Sequence, residues 1–555
     1  MYRTIVSVAD INELVSLPIQ SSTAPNLSPE VSTPKSVVIP DPNPAAVVKQ
    51  QDATFAPSPV LKPLSTKRSY LHTSLPPKPP SVSLQDKRKA VRDAVLHAWS
   101  GYKKDAFGHD ELLPLTHSFS DNWGSLAWTL IDSLGILYIC GLMDEFNIAR
   151  NFIANMKFDQ INSDVSVFET NIRILGGLLS AFELSGDYMF VDQARTVGNA
   201  LMPAFGTESG LPTSRINLAT GRQSGSWLGI DTAILSEFGS LQMEFSALSH
   251  HTDDPKFMSA AMKVYEFLNK NTQGGLLTTE FNLKSGSPSN DVLTMGSLSD
   301  SYYEYLLKLY ILSDRTIPIA LDMYIKAIDE MVEKLVIEWD EPHSNKKRAR
   351  IVQRTNGMTE NKMEHLACFV PGMLALGAHY GEVHNIESLL KRKERHMDIA
   401  VKLLDTCVEM YTMTATQLPA EYIEFTNDKA RIGDDPRYLL RPETVESLFI
   451  LHRITKNEAY RDAGWNIFSA IEKHCKTNTA YAAVQNVDSS DVPAPKLDNM
   501  ESFVMAETFK YLYLLFSPDT FIPLDHFVFT TEAHPLRIMK ASKIRFVADS
   551  PVTTF

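Results

Sequence analysis

Several acids in this chain stand in pairs whose spacing puts both on one helix face. Asp300 and Glu304 are separated by one helical turn, as are Glu443 and Glu446, and Glu169 stands a turn before Arg173. Their neighbours are apolar, as in Asp300-Ser-Tyr-Tyr-Glu-Tyr-Leu-Leu and Glu443-Thr-Val-Glu-Ser-Leu. Acids on an apolar helix need a partner: a cation, arginines or a polyol. Glu501 and Glu507 are spaced so that they need not face the same way. Any one acid at a helix start has a simpler use, because the partial positive charge there stabilises a carboxylate. Taken together they suit glycoside hydrolysis, which needs one protonated and one ionised carboxyl flanking the scissile bond. Diphosphate ionisation would expect clustered aspartates holding magnesium, and no such cluster occurs. Oxygen-rich sites also suit calcium, which takes carboxylate, carbonyl and water oxygens. There is no His-x-x-x-His, Cys-x-x-Cys, Gly-x-Ser-x-Gly or P-loop, so zinc, serine-hydrolase and nucleotide chemistry have no starting point.

The elements that must position these acids recur along the chain. Seven segments begin with an acid and run into apolar or small residues; the acids are Asp132, Glu169, Glu237, Asp300, Glu364, Glu443 and Glu501. Between successive members there is room for one more polar helix, as in Tyr188–Leu201 or Asp254–Leu268. Repeated helical hairpins with one buried helix each imply a toroid or a solenoid. Acids at equivalent ends of the buried helices favour the toroid, where they converge on one mouth. The expected fold is all-α, an α/α barrel of about seven hairpins.

Near the C-terminus, Phe527-Val-Phe-Thr-Thr-Glu-Ala-His-Pro reads as a short half-buried strand followed by a polar turn closed by Pro535. Residues from about Leu17 to Ser83 are rich in Pro, Ser, Thr and Val without helical periodicity, which favours an extended stem or linker. The net charge of −13 leaves no basic stripe to track phosphates, which argues against a nucleic-acid binder. The one basic run, Lys346-Lys347-Arg348-Ala349-Arg350, reads as a solvated loop. No apolar run is read as long enough for a membrane helix. The four cysteines, Cys140, Cys368, Cys407 and Cys475, are too few for a disulfide scaffold; by composition they are buried thiols or at most one bridge.

Longer motifs carry a resemblance. Trp99-Ser-Gly-Tyr-Lys-Lys with Gly108-His-Asp-Glu-Leu, Phe168-Glu-Thr-Asn-Ile-Arg-Ile-Leu-Gly-Gly, Asp300-Ser-Tyr-Tyr-Glu-Tyr-Leu, Leu440-Arg-Pro-Glu-Thr-Val-Glu-Ser, Ala506-Glu-Thr-Phe-Lys-Tyr-Leu-Tyr-Leu and Thr531-Glu-Ala-His-Pro, in this order, resemble the class I α-1,2-mannosidases, glycoside hydrolase family 47. The resemblance implies an (α/α)7 barrel over residues 86–540, with a stem over 1–85, a tail over 541–555, and a C-terminal β-hairpin plugging one end. It implies that Thr531 presents its carbonyl and hydroxyl to Ca2+, and that water attacks directly with inversion, with carboxyls roughly 6.5–9.5 Å apart. Glu443 matches the general base. Pro442, read at the first helical position, places Glu443 in the first turn, where the helix dipole favours its ionised form. Asp300 is favoured as the acid, with Glu169 second and acting through a water; either needs a raised pKa, which like charges supply. Arg173, Arg441 and Phe503 match sugar-contacting positions, and Asp132, Glu237, Glu244, Glu304, Glu421, Glu446, Glu507 and Glu532 match the other acids of the bowl. Cys368 and Cys407 match the family's disulfide, and Cys140 reads as core.

The resemblance has departures. Leu298 stands where endoplasmic-reticulum members carry arginine, which is similar to the Golgi subgroup that accepts several branches. Ala420 stands where proline is usual, and residues 337–362 lose the family pattern. The family's N-terminal anchor is not visible, so the gene model is truncated or the protein lacks one. What the resemblance implies is a monomeric enzyme of the Golgi or endoplasmic-reticulum lumen that trims high-mannose N-glycans from Man9 towards Man5. Two other readings stay open: a degradation-enhancing mannosidase-like protein, and an inactive glycan-binding lectin.

Overall fold

The computed structural model describes residues 82–341 and 346–539. The expected stem lies outside these residues up to position 81, as does the expected tail over 541–555. Fourteen helices alternate between an outer and an inner ring. The outer ones are α1 (Leu84–Asp105), α3 (Met143–Ile153), α5 (Met189–Leu201), α7 (Lys256–Asn271), α9 (Pro318–Lys334), α11 (Lys393–Thr412) and α13 (Ala459–His474). The inner ones are α2 (Leu134–Ile139), α4 (Gly176–Ser185), α6 (Gln242–Thr252), α8 (Asp300–Leu312), α10 (Val370–His384), α12 (Glu443–Thr455) and α14 (Phe509–Leu515). Each inner helix packs on the next, and the turn leading into α14 packs back on α2, so the ring closes.

Sequence patterning separates the two rings. Outer helix α5 buries Phe190, Val191, Ala194, Val197, Gly198 and Leu201, a single stripe at helical spacing. Inner helix α8 buries every residue from Ser301 to Leu312, and α12 every residue from Thr444 to Ile454. A helix surrounded on all sides has to be apolar or small all round, and any charge it carries has to be paired inside. His365–His384, which includes α10, is long and apolar enough by composition to cross a membrane, contrary to the reading of the sequence; most of it is buried inside the barrel.

The C-terminal hairpin pairs Phe527 with Arg537 and Phe529 with Pro535. All three residues Phe527–Phe529 are buried, where a half-buried strand was expected. The hairpin sits inside the ring rather than on its surface: Phe529 meets Phe449 of α12 and Tyr511 of α14 with ring centroids 5.5 and 5.7 Å apart. Glycine makes room for it. A Cβ on Gly176 at the start of α4 would lie 2.9 Å from His534 of the plug.

The basic run corrects another expectation. Lys347–Ile351 is a strand paired antiparallel with Val336–Asp340, not a solvated loop. Arg348 and Arg350 are buried. Arg350 packs over the faces of both Trp339 and Phe425, at 4.9 and 4.6 Å, and bonds Asp428 at 2.8 Å. Arg348 pairs with Glu341 and Glu409. Aromatic faces and ion pairs make burial of the guanidinium groups tolerable, which a count of charges does not reveal.

Candidate active site

The acids converge at one mouth of the barrel, by more routes than helix starts alone. Asp300 and Glu443 do open inner helices. Pro442, however, immediately precedes the helix instead of occupying its first position. Asp132 ends a short helix, Trp128–Asp132; Glu237 lies within Leu235–Gly239; Glu364 ends a strand; Glu501 precedes its helical turn. Arg173 and Glu507 sit in π-helical turns, Thr170–Leu175 and Val504–Thr508. Such turns add a residue to the helix and re-aim side chains, and they are frequent at functional sites. Four non-glycine residues with left-handed backbone precede site residues: Ala127 (φ 57), Leu298 (φ 73), Leu440 (φ 67) and Ala533 (φ 53). Strain of this kind concentrates where surroundings hold a loop for a purpose.

Arg173 is the hub of one wall. It donates to Glu169 at 2.9 Å, to Asp132 at 3.4 Å and to Glu532, and its guanidinium lies over Trp128 and Phe503 at 5.3 and 5.8 Å. Asp132 also accepts from Ser502, and His534 of the plug lies 3.1 Å away. Burial opposes charge on Asp132, but His534, Arg173 and Ser502 hold its carboxyl below the ordinary range. Burial pushes His534 down to about 4, so this imidazole is neutral and donates to Asp132.

Across the mouth, Glu443 Oε2 lies 2.8 Å from His365 Nδ1, bent off the axis of a straight hydrogen bond. Burial works against ionisation of Glu443, yet the His365 contact and Arg441 outweigh it and hold the carboxyl below its usual range. Arg441 donates to Glu421 at 2.7 Å. Asp300 goes the other way: burial, with Glu304, Glu364 and Glu443 around it, pushes its carboxyl up to about 7. Burial likewise takes Glu237 and Glu446 up to about 7 and Glu244 to about 8, and raises Glu507 and Glu532 well above the ordinary value. The crowd of carboxyls is therefore only partly ionised.

Four side chains here escaped the sequence reading. His365 follows Glu364 in a quoted segment yet carried no signal apart from that acid. Lys308 is buried between Glu304 and Glu446, 3.0 Å from the latter. A lysine one turn after Glu304 in an otherwise apolar helix was the available signal. Tyr305 donates to Glu244 at 2.6 Å and accepts from the Thr531 amide at 3.3 Å. Lys510 is buried and donates to the Ala533 carbonyl at 2.8 Å.

These contacts hold the plug turn from four directions: Asp132 through His534, Arg173 through Glu532, Tyr305 through Thr531 and Lys510 through Ala533. Neither the hydroxyl nor the carbonyl of Thr531 is taken up by a protein hydrogen bond among the described residues. Two free hard oxygens beside a surplus of carboxyls suit a calcium ion. Among the described residues no group of three or more His, Cys, Asp or Glu forms a metal cluster by itself. A cation here would rest on threonine oxygens and water.

Outside the bowl, Cys368 and Cys407 form a disulfide, 39 positions apart in sequence and 5.9 Å apart between Cα atoms. It ties the turn entering α10 to α11. Cys140 and Cys475 are buried free thiols.

A ring of inner helices that gathers unequal carboxyls at one mouth defines an α/α-barrel of the kind that works on carbohydrate. The sequence profile of glycosyl hydrolase family 47 matches residues 94–538, and the chain belongs to this family. It is 41% identical over 461 residues, 82% of this chain and 79% of the relative, to a protein named mannosyl-oligosaccharide 1,2-alpha-mannosidase MNS1 from Arabidopsis thaliana. It is 40% identical over 508 residues, 89% of this chain and 74% of the relative, to the endoplasmic reticulum mannosyl-oligosaccharide 1,2-alpha-mannosidase of Rattus norvegicus. Among solved structures it is similar to an alpha-1,2-mannosidase from Trichoderma reesei: TM-score 0.75, 28% identity, covering 83% of this chain and 100% of the other.

Proposed function

We propose that this protein is an inverting, calcium-dependent α-1,2-mannosidase that removes terminal mannose from high-mannose N-glycans in the secretory pathway. The family and the names of its relatives carry the reaction class. The observation that carries the mechanism is that two buried carboxyls at one mouth are pushed in opposite directions: the His365 contact and Arg441 hold Glu443 below its usual range, whereas burial among other acids raises Asp300 to about 7.

In this reading Glu443 takes the proton of the attacking water as it adds to the anomeric carbon, and Asp300 gives its proton to the departing glycosidic oxygen. Glu169, bonded to Arg173, is the second candidate for the acid, acting through a water. Phe503 lies on the Arg173 wall, where an apolar ring face suits the C–H face of a sugar. Arg441 and Glu421 border the base and are assigned to sugar hydroxyls, with Asp132, Glu304, Glu446, Glu507 and Glu532 completing the polar lining. Thr531 would hold the calcium ion through its hydroxyl and carbonyl; once bound, the ion supplies fixed positive charge that orients two vicinal hydroxyls of the terminal mannose. Leu298, on the rim, favours acceptance of several branches.

Digestion of Man9 by the purified protein, with calcium or with chelator, tests this function. Calcium-dependent trimming towards Man5 is expected. Glycan bound without release would replace the enzyme by a lectin, and a stop after one mannose would remove Leu298 as the branch determinant.

A further inference from the structure

Glu364 opens one of the recurrent acidic segments, yet it has no part in the reaction just described. It ends the strand Lys362–Glu364, and its side chain reaches the loop that leads into α8. Glu364 Oε2 accepts from both the amide and the hydroxyl of Ser297, each at 2.8 Å. Oε1 accepts from Lys362 Nζ at 2.9 Å, and that ammonium lies over the Tyr422 ring at 4.3 Å.

The loop so gripped is under strain. Leu298 has φ +73, a left-handed backbone that a leucine keeps only when its surroundings hold it. The Leu298 carbonyl accepts from the Ser236 amide at 2.9 Å, and the Asp300 amide donates to the Gly296 carbonyl at 3.0 Å. Gly296 lies directly against the acid, since a Cβ there would stand 2.3 Å from Glu364 Oε2. The next residue, His365, is the one that touches Glu443. Two consecutive residues at one strand end thus reach the loop of Asp300 and the carboxyl of Glu443.

We infer that Glu364 is a positioning residue: by holding Ser297 it fixes the left-handed turn at Leu298 and so sets the place of Asp300 opposite Glu443. The inference rests on the proposed roles of Asp300 and Glu443. Glu364 acts through hydrogen bonds to the turn and touches no substrate. Its tolerance for substitution therefore follows acceptor geometry, and Gly296 is coupled to it.

Steady-state kinetics on an α-1,2-linked mannobiose, read beside thermal melting, provide the test. Glu364→Ala is expected to lower kcat about 10–100-fold, as a misplaced acid does, with KM within about threefold. Glu364→Gln keeps an oxygen for Ser297 and should stay within about fivefold of the parent. Gly296→Ala should reproduce the loss by displacing the Glu364 side chain, and it should cost little more in the Glu364→Ala background, since both act through one contact. A KM effect with unchanged kcat would make Glu364 a sugar contact and overturn the inference. So would equal damage from Gln and Ala, additive losses in the double variant, or kcat losses that simply track melting temperature. A parent protein that releases no mannose would overturn the proposed function together with this inference, whereas an active parent with an unimpaired Glu364→Ala overturns only the positioning role.

Discussion

Glu443 faces His365 and Arg441, whereas Asp300 is faced by Glu304, Glu364 and Glu443. Burial is common to both, so their different neighbours set which one keeps its proton. With Glu443 as the proposed base and Asp300 as the proposed acid, the sign of the pH dependence follows. The base must be ionised, so activity falls on the acid side only below the ordinary carboxyl range. The acid must be protonated, so activity is lost as pH rises through about 7. A bell-shaped kcat/KM profile is expected, with its basic limb near that value. Asp300→Asn should lose that limb along with about 10²–10⁴-fold of rate, and Glu443→Gln should lose a similar factor while still binding glycan. An unchanged basic limb in Asp300→Asn would transfer the acid role to Glu169.

At the scale of elements, the series of acids was legible because each stands beside a run of apolar or small residues. The helix starts were a poorer guide. Glu237 and Glu364 reach the mouth from a short turn and a strand end, and Arg173 and Glu507 from π-helical turns. The pairing of Arg173 with Glu169, one turn apart, was readable and holds, but helical periodicity carries no mark of an extra residue in a turn, so the convergence of Arg173 on Asp132 and Glu532 was not. Arg350 misled for a related reason: its burial depends on Trp339 and Phe425, and Phe425 is remote in sequence. The disulfide pairing came from resemblance, and the fold bears it out. Because it cross-links the entry of α10 to α11, Cys407→Ser should cost about 2–4 kcal/mol of stability. Denaturant melts of the oxidised and substituted proteins measure this, and coincident melts would mean that the bridge adds nothing.

For the whole molecule, ring closure and the plug are one construction. The turn Thr530–His534 is gripped from the α2, α4, α8 and α14 sectors of the ring, so the proposed calcium site at Thr531 would form only when the barrel is closed around it. A cation that binds only the closed barrel stabilises it, by about 2.7 kcal/mol when free calcium is a hundredfold above its dissociation constant. Chelation should therefore lower the melting temperature of the intact protein, and Thr531→Val should melt alike with and without calcium. Unchanged melting of the parent in chelator would move the ion elsewhere. The barrel itself was legible because buried inner helices alternate with striped outer ones. The four-way grip on the plug was not, since its partners are separated along almost the whole chain.

In the proposed reaction water attacks the anomeric carbon directly, with Glu443 as base and Asp300 as acid. Proton NMR of the first mannose released from an α-1,2-linked substrate tests it most directly, recorded before mutarotation blurs the anomers. β-Mannose is expected first, with the α-anomer growing in later. If α-mannose appears first, a glycosyl-enzyme intermediate has formed, and the assignment of these two carboxyls is wrong.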